Sequence, residues 1–449
     1  MSILLEFIGF KDLNSWSVLH LLENDFKYNK DYNLVQIGKF LTRDKTPVLV
    51  NDTIKYKRVT IKQYNNGLFL RDIEIGKNIG TKRQFSIKKG QFLLSKIDAR
   101  NGAFGVVQEE IDNAIITGNF WTYDVNYSLV NPYFLALMTT TKQFMRFCQM
   151  ASSGTTNRHY LQENKFLNVK IPLPPLEVQK RMVRDYQDRL DLAVLQEQQA
   201  QEKEKEIENY LYRELGIEIF KNDNNKLLNF VNFKNIGRWD SIYLLDGNNI
   251  QSKYNLIPIS NILNTFLKDL DNNSLRIDSK KYPTKNFKYI GMENIEKETG
   301  KLSQFQDVKG IDIKSTTIKL PKNFFLYGKL RPYLNKYYLN KHDKYNIIIS
   351  SEFFVFSTKN INKIYFKYIL SSSFIQNQIE NHMKGARMPR ISEATFKNLK
   401  IPLPSLETQN NIANHIGSLK DDIQNLKEQS TQNKSLALKE FEKEIFNEA

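Results

Sequence analysis

Residues 166–174 read Phe-Leu-Asn-Val-Lys-Ile-Pro-Leu-Pro, and residues 396–404 read Phe-Lys-Asn-Leu-Lys-Ile-Pro-Leu-Pro. Ile171 and Ile401 lie 230 residues apart in a chain of 449. That step is far longer than the roughly 20–50 residues of a solenoid unit. It implies two similar domains in one polypeptide, each followed by the same kind of segment. Weaker matches follow in the same order. Trp16 precedes Leu21-Leu22 as Trp239 precedes Leu244-Leu245. Tyr56-Lys57-Arg58-Val59 parallels Phe287-Lys288-Tyr289-Ile290, and the run from Phe92 to Ile97 parallels Phe324 to Leu330 with one shift. Thr117-Gly118-Asn119-Phe120-Trp121 parallels Ser350-Ser351-Glu352-Phe353-Phe354, and Tyr133-Phe134 parallels Tyr365-Phe366. No single match is strong; their shared order is.

Each copy mixes short β-rich runs (91–97, 113–125, 324–330, 345–357), separated by Gly, Asn and Asp, with a helix-like stretch at 131–150 or 361–381. The reading is a compact α+β domain of roughly 170 residues in each half. After each Ile-Pro-Leu-Pro box the character changes to Glu, Gln, Lys and Arg. In the first such segment Val183, Tyr186, Leu190, Ala193, Ala200, Ile207 and Leu211 recur. In the second, Ile412, Ile416, Leu419, Ile423, Leu426, Ala437, Phe441 and Ile445 recur. Steps of three and four mark a coiled-coil seam. Proline tolerates only the first turn of a helix, so each box ends a strand or turn and launches a helix. About 40 residues at 1.5 Å each give a rod of roughly 60 Å. The seam is imperfect, with Glu197 and Glu204 on one helix and Ser430 and Asn433 on the other. A lone helix of this kind is marginal in water, so the expectation is that the two helices pair, antiparallel because a domain lies between them. The boundaries are 1–174 and 217–404 for the domains, and 175–216 and 405–449 for the helices.

The formal charge of +16 and a pI near 9.4 favour a polyanionic partner, since each Lys or Arg on a phosphate releases counterions. The one cysteine, Cys148, can form no internal disulfide, which points to a reducing compartment. With no apolar run of the ~18–20 residues a membrane span needs and no signal-peptide pattern at the N-terminus, the chain reads as cytoplasmic.

The order domain, helix, domain, helix carries a Pro-Leu-Pro-x-Leu-Glu-x-Gln box at each junction: residues 172–179, ending Leu176-Glu177-Val178-Gln179, and residues 402–409, ending Leu406-Glu407-Thr408-Gln409. Together with Lys96-Ile97-Asp98-Ala99-Arg100-Asn101-Gly102-Ala103-Phe104-Gly105, Tyr289-Ile290-Gly291-Met292-Glu293-Asn294-Ile295 and Gly328-Lys329-Leu330-Arg331-Pro332-Tyr333-Leu334, this resembles the DNA specificity subunit of Type I restriction–modification systems. The resemblance covers essentially the whole chain. It implies two target recognition domains, each reading half of a split double-stranded DNA site, held by paired helices that also dock two methyltransferase (modification) subunits. Restriction subunits would join them. It also implies that this chain binds no cofactor, with S-adenosylmethionine, ATP and Mg carried by the partners.

The candidate DNA contacts are basic or polar residues of inter-strand loops: Lys82, Arg83, Lys96, Arg100, Arg158 and His159 in the first copy, and Lys329, Arg331, Lys336, Lys384, Arg387 and Arg390 in the second. Arg forks onto guanine, whereas Lys mainly neutralises phosphate. The segments 152–158 and 384–390, polar and basic, form a matched pair of loops. Phe120, Trp121, Phe353 and Phe354, equivalent in both copies, read as core. Asn131-Pro132-Tyr133-Phe134 is close to the catalytic box of adenine methyltransferases but lacks its second proline, and an Asn cap with Pro opening a helix explains it. Asp312-Ile313-Lys314 has no acidic partner pattern, the histidines show no metal-ligand spacing, and there is no phosphate-binding Gly-rich loop. Two alternatives remain at this stage: a stand-alone DNA-modifying enzyme, and a coiled-coil scaffold without a DNA role.

Overall fold

The computed structural model describes residues 28–63, 67–153, 160–219, 250–266, 276–303, 306–313, 317–342, 347–380 and 388–446. It forms two compact units. One comprises residues 1–198 with 426–449, and the other residues 199–425. Trp16 and Trp239, with the leucine pairs after them, lie outside the described residues.

In the first unit the strands are β1 (Asn33–Gln36), β2 (Leu41–Asp44), β3 (Pro47–Leu49), β4 (Lys55–Ile61), β5 (Leu68–Ile75), β6 (Arg83–Ser86), β7 (Phe92–Ser95), β8 (Phe104–Val106), β9 (Ile115–Ile116) and β10 (Phe120–Val125). Helices α1 (Pro132–Thr140) and α2 (Lys142–Met150) follow, then β11 (Ser152–Ser153), β12 (Tyr160–Leu161), α3 (Glu163–Asn168), β13 (Lys170–Leu173) and the long helix α4 (Leu176–Leu215). A short pair, β14 (Glu218–Ile219) and β15 (Ile250–Gln251), opens the second unit. Next come β16 (Leu256–Pro258), β17 (Leu263–Phe266), β18 (Arg276–Ile277), β19 (Asn286–Ile290), β20 (Asp307–Lys309), β21 (Thr317–Lys319), β22 (Phe325–Gly328), β23 (Tyr337–Leu339), β24 (Ile347–Ser350) and β25 (Phe353–Thr358). Helices α5 (Lys363–Ser371), α6 (Ser373–Glu380) and α7 (Glu393–Asn398), strand β26 (Lys400–Pro402) and the second long helix α8 (Leu406–Phe446) complete it.

The duplication is visible strand by strand. The first unit has a four-stranded sheet ordered β2-β10-β7-β8 and a five-stranded sheet ordered β3-β6-β9-β4-β5; the second repeats them as β17-β25-β22-β23 and β18-β21-β24-β19-β20. The parallel pairing of β4 with β9 recurs between β19 and β24. In each unit the strand of the proline box pairs antiparallel with an early strand of its copy, β13 with β1 and β26 with the equivalent β16. Apolar residues of the four-stranded sheets and the helices build the two main cores. Trp121 and Phe354 are buried there, Phe353 is buried in a smaller cluster with Ile290 and Leu326, and Phe120 is half-buried. Cys148 is fully buried in α2, where desolvation pushes its thiol far up.

One sequence match needs a one-residue correction. Asn131 caps α1, its side chain accepting from Tyr133 N at 2.9 Å, and Asn362 caps α5, accepting from Ile364 N at 2.8 Å. The caps therefore align Phe134 with Tyr365, both fully buried, rather than Tyr133-Phe134 with Tyr365-Phe366. Helix register, fixed by the caps, prevails over the shared letters.

The junction box has a physical role. The Gln179 side chain, fully buried, accepts from Asn131 N at 2.8 Å and donates to Leu129 O at 3.1 Å and Pro174 O at 2.8 Å. Gln409 does the same in its unit, accepting from Asn362 N at 2.8 Å and donating to Pro404 O at 2.9 Å. Each glutamine locks the start of a long helix to the start of the short helix of its own domain.

The long helices pack antiparallel, and each unit holds half of both. In the first unit Met182 of α4 and Phe441, Ile445 and Phe446 of α8 enter the domain core, with Val183 and Tyr186 packed against it. In the second, Leu211 and Leu215 of α4 and Ile412, Ala413 and Ile416 of α8 do so, with Ile207 alongside. Leu419 and Ile423 are buried, and Leu190 and Leu426 half-buried. The seam residues that broke the apolar pattern form a polar layer. Gln196 donates to Gln429 at 3.1 Å and accepts from Asn433 at 3.0 Å. Glu197 accepts from Lys434 at 2.7 Å and Ser430 at 3.1 Å, and these two bonds hold its carboxyl below the usual range. Beside this layer the seam narrows to Ala193 and Ala437, which lets backbones approach.

Candidate nucleic-acid interface

In both units the same three segments meet. The turn after β7 (residues 96–103) and the turn after β22 (residues 329–336) have equal length. Each ends on a left-handed residue, Gly102 at φ 73° and Asn335 at φ 45°. At the head of the turn, Lys96 N donates to Asn119 O at 3.0 Å and Lys96 O accepts from Leu161 N at 2.8 Å. In the second unit Lys329 N donates to Glu352 O at 2.9 Å and Lys329 O accepts from Ile391 N at 3.1 Å. One backbone scaffold thus gathers a turn, the residues before β10 or β25, and the residues just before α3 or α7.

The side chains on this scaffold differ. Asp98 occupies the place of Arg331, Asn119 that of Glu352, and Tyr160 that of Arg390. In the first unit Lys96 Nζ lies 5.6 Å from the Tyr160 ring centroid, and Asp98 accepts from Gln63 at 2.9 Å. In the second, Arg390 faces Glu352 with N–O distances of 3.3 and 3.4 Å. Arg331 is exposed and sits in the left-handed region at φ 47°, its N–H donating to Pro389 O at 2.8 Å. That conformation costs a β-carbon residue about 1–2 kcal/mol, so the fold holds this guanidinium out under strain.

The expected contacts therefore divide. Lys96, Arg100, Lys329, Arg331 and Arg390 gather on this scaffold, with Arg100 half-buried in the turn. Lys82 is engaged elsewhere, its Nζ donating to Asp52 at 2.6 Å and Gly76 O at 2.7 Å, where it closes a loop. Arg83 is exposed at the start of β6. Lys336 is half-buried and its ammonium is tied to Met292 O. Arg158, His159, Lys384 and Arg387 lie outside the described residues.

Sequence reasoning missed a cleft of about 290 Å³ in the first unit, lined by Arg58, Arg71, Gln84, Asp98 and Thr117 among others. Arg58 is held there by a fork to Asp72 at 2.6 and 2.8 Å. Its signal was visible as a basic residue inside a repeated strand. Among the described residues no group of His, Cys, Asp and Glu could hold a metal.

The family described as Type I restriction modification DNA specificity domain matches this chain twice, over residues 29–209 and 251–434. The chain belongs to that family. Its role there is DNA sequence specificity within a restriction–modification complex rather than catalysis. Among relatives, the Type I restriction enzyme MjaVIII specificity subunit of Methanocaldococcus jannaschii is 22% identical over 405 residues, which is 87% of this chain and 86% of that protein. The solved HsdS subunit from Thermoanaerobacter tengcongensis shares the fold at 14% identity with a TM-score of 0.54, over 95% of this chain and all of that one. A structure described as the basis of complex assembly and conformational transition of the type I R-M system matches with a TM-score of 0.58 at 14% identity, over 93% and 98% of the two chains. The two family matches are the two halves of the repeat, and each contains one complete copy of the three-segment scaffold.

Proposed function

We propose that each unit of this specificity subunit reads one half of a split double-stranded DNA site through its three-segment scaffold. The observation that carries this is a shared pattern of backbone hydrogen bonds that carries different side chains. Asp98, Asn119 and Tyr160 in one unit answer to Arg331, Glu352 and Arg390 in the other, as two readers of different base sequences require. We assign Arg331 and Arg390 to guanine, onto which an arginine can fork, and the lysines to phosphate. The subunit works in the cytoplasm with two methyltransferase subunits and with restriction subunits, which carry S-adenosylmethionine, ATP and Mg. Leu192, Val194 and Leu195 on α4 and Leu436 on α8 are 40–49% exposed. Exposed apolar residues on a helix suit protein docking, and we assign these to the methyltransferase partner.

The test is co-expression with the methyltransferase followed by methylome sequencing. One split adenine-methylated motif, absent when this chain is omitted, is the expected result. Methyl transfer by the purified chain alone would overturn the reading.

A further inference from the structure

Four lysines from four separate elements converge in the second unit. Lys367 lies on α5, Lys420 on α8, Lys341 just after β23, and Lys301 on the segment before β20. Lys367 lies 5.9 Å from the Tyr337 ring centroid and Lys420 lies 5.1 Å from that of Tyr368, while Lys301 Nζ donates to Gln424 at 3.4 Å. Lys367 and Lys420 are half-buried. Burial first, and then Lys420, Lys341 and Lys301, push the Lys367 ammonium down to about 8. Burial and Lys301 lower Lys420, opposed by Glu204, and Asp421 faces Tyr368.

The fold does not need these charges. Registered on the capping asparagines, Lys367 answers to Ala136 of the first unit, which packs on an apolar core. Registered on the buried glutamines, Lys420 answers to Leu190. Val106 and Leu339 pair with the equivalent Phe92 and Phe325, so Lys341 answers to Gln108. The same scaffold is thus built without lysine at three places. Drawing like charges together out of water is unfavourable unless an anion compensates them.

The cluster is also continuous with the reading turn. Glu298 N donates to Leu334 O and Asn335 O, Tyr337 Oη donates to Glu298 O at 3.1 Å, and Asn335 donates to Ser371 O at the end of α5 at 2.7 Å. Lysine offers a point charge suited to phosphate, without the planar fork that reads a base edge.

We propose that Lys301, Lys341, Lys367 and Lys420 form a sequence-independent phosphate site for the DNA backbone, present in the second unit only. The proposal rests on the DNA-reading role above.

The test uses the full chain assembled with its methyltransferase partner. Lys367→Ala, Lys420→Leu and Lys341→Gln together install the first unit's residues. Affinity for a duplex carrying the methylated motif, and for a scrambled duplex, is followed by fluorescence anisotropy across salt concentrations. At about 0.9 per phosphate contact, the plot of log affinity against log salt should become shallower by about 2–3 on both duplexes. The methylated motif should not change. The exposed Lys341→Gln alone, which does not touch the core, should lower the slope by about 1. An unchanged slope in both variants would overturn the site. A changed motif would make the lysines base readers, and lost assembly with an unchanged slope would make them contacts to an acidic protein; either outcome also overturns it. A parent complex that fails to distinguish the two duplexes would instead refute the DNA-reading role.

Discussion

Gln179 and Gln409 show how much one side chain does in this fold. Each is fully buried and satisfies backbone groups from two elements. Replacing either with Ala strands those groups and should cost about 2–3 kcal/mol, measurable as a lower denaturant midpoint for the unit concerned. Arg331 behaves oppositely. Arg331→Gly removes left-handed strain, so unfolding should be unchanged or later, while base discrimination is lost only in the half-site read by the second unit. Methylome sequencing of the variant checks this, and a change in the other half-site would count against the assignment. Lys367 adds a pH effect. Its folded pKa lies near 8, below the ordinary lysine value of 10.5, so above pH 8 the unfolded chain binds more protons and stability rises with pH. Between about pH 8 and 9.5, below the ionisation of tyrosines in the unfolded chain, unfolding should move to higher denaturant, and Lys367→Ala should flatten the rise. At this scale sequence gave partial sight. The glutamines stood in plain view as the last letter of a repeated box, yet their role needs Asn131 and Asn362, 48 and 47 residues away. The lysine cluster was invisible because its members come from four distant segments.

At the scale of elements, the proline boxes and the three-four apolar spacing were enough to place both long helices and their pairing, because proline chemistry and periodicity are local. Strand order was not legible. The orders β2-β10-β7-β8 and β3-β6-β9-β4-β5 join strands distant in sequence, and short strands such as Ile115–Ile116 carry almost no pattern of their own. The polar layer of the seam read as imperfection, whereas Gln196, Gln429 and Asn433 bond to one another across the helix pair. Such layers fix register at a cost in stability. Gln196→Leu with Asn433→Leu should therefore raise the unfolding midpoint while loosening register, seen as additional products when cysteines placed along the seam are cross-linked. Ile416 is the contrasting case. It is fully buried in the second unit's core, so Ile416→Asp buries a carboxylate without a partner and should abolish assembly in size-exclusion chromatography.

At the scale of the whole molecule, sequence suggested a domain followed by its helix, twice. The contacts interleave instead: the first domain's core takes in Phe441, Ile445 and Phe446 from α8, and Asn29 N donates to Ile445 O at 2.9 Å. Removing residues 426–446 should therefore release the first domain and spare the second. Hydrogen exchange would show lost protection in residues 28–173, and protection retained there would contradict it. Each large apolar side chain buried is worth about 2 kcal/mol, so three together are a large share of a unit's margin. During synthesis the ribosome emits the first domain hundreds of residues before the helix that finishes its core. Until then the first domain lacks part of its core, so a chain cut short before residue 426 should present its first reader unfinished and open to proteases.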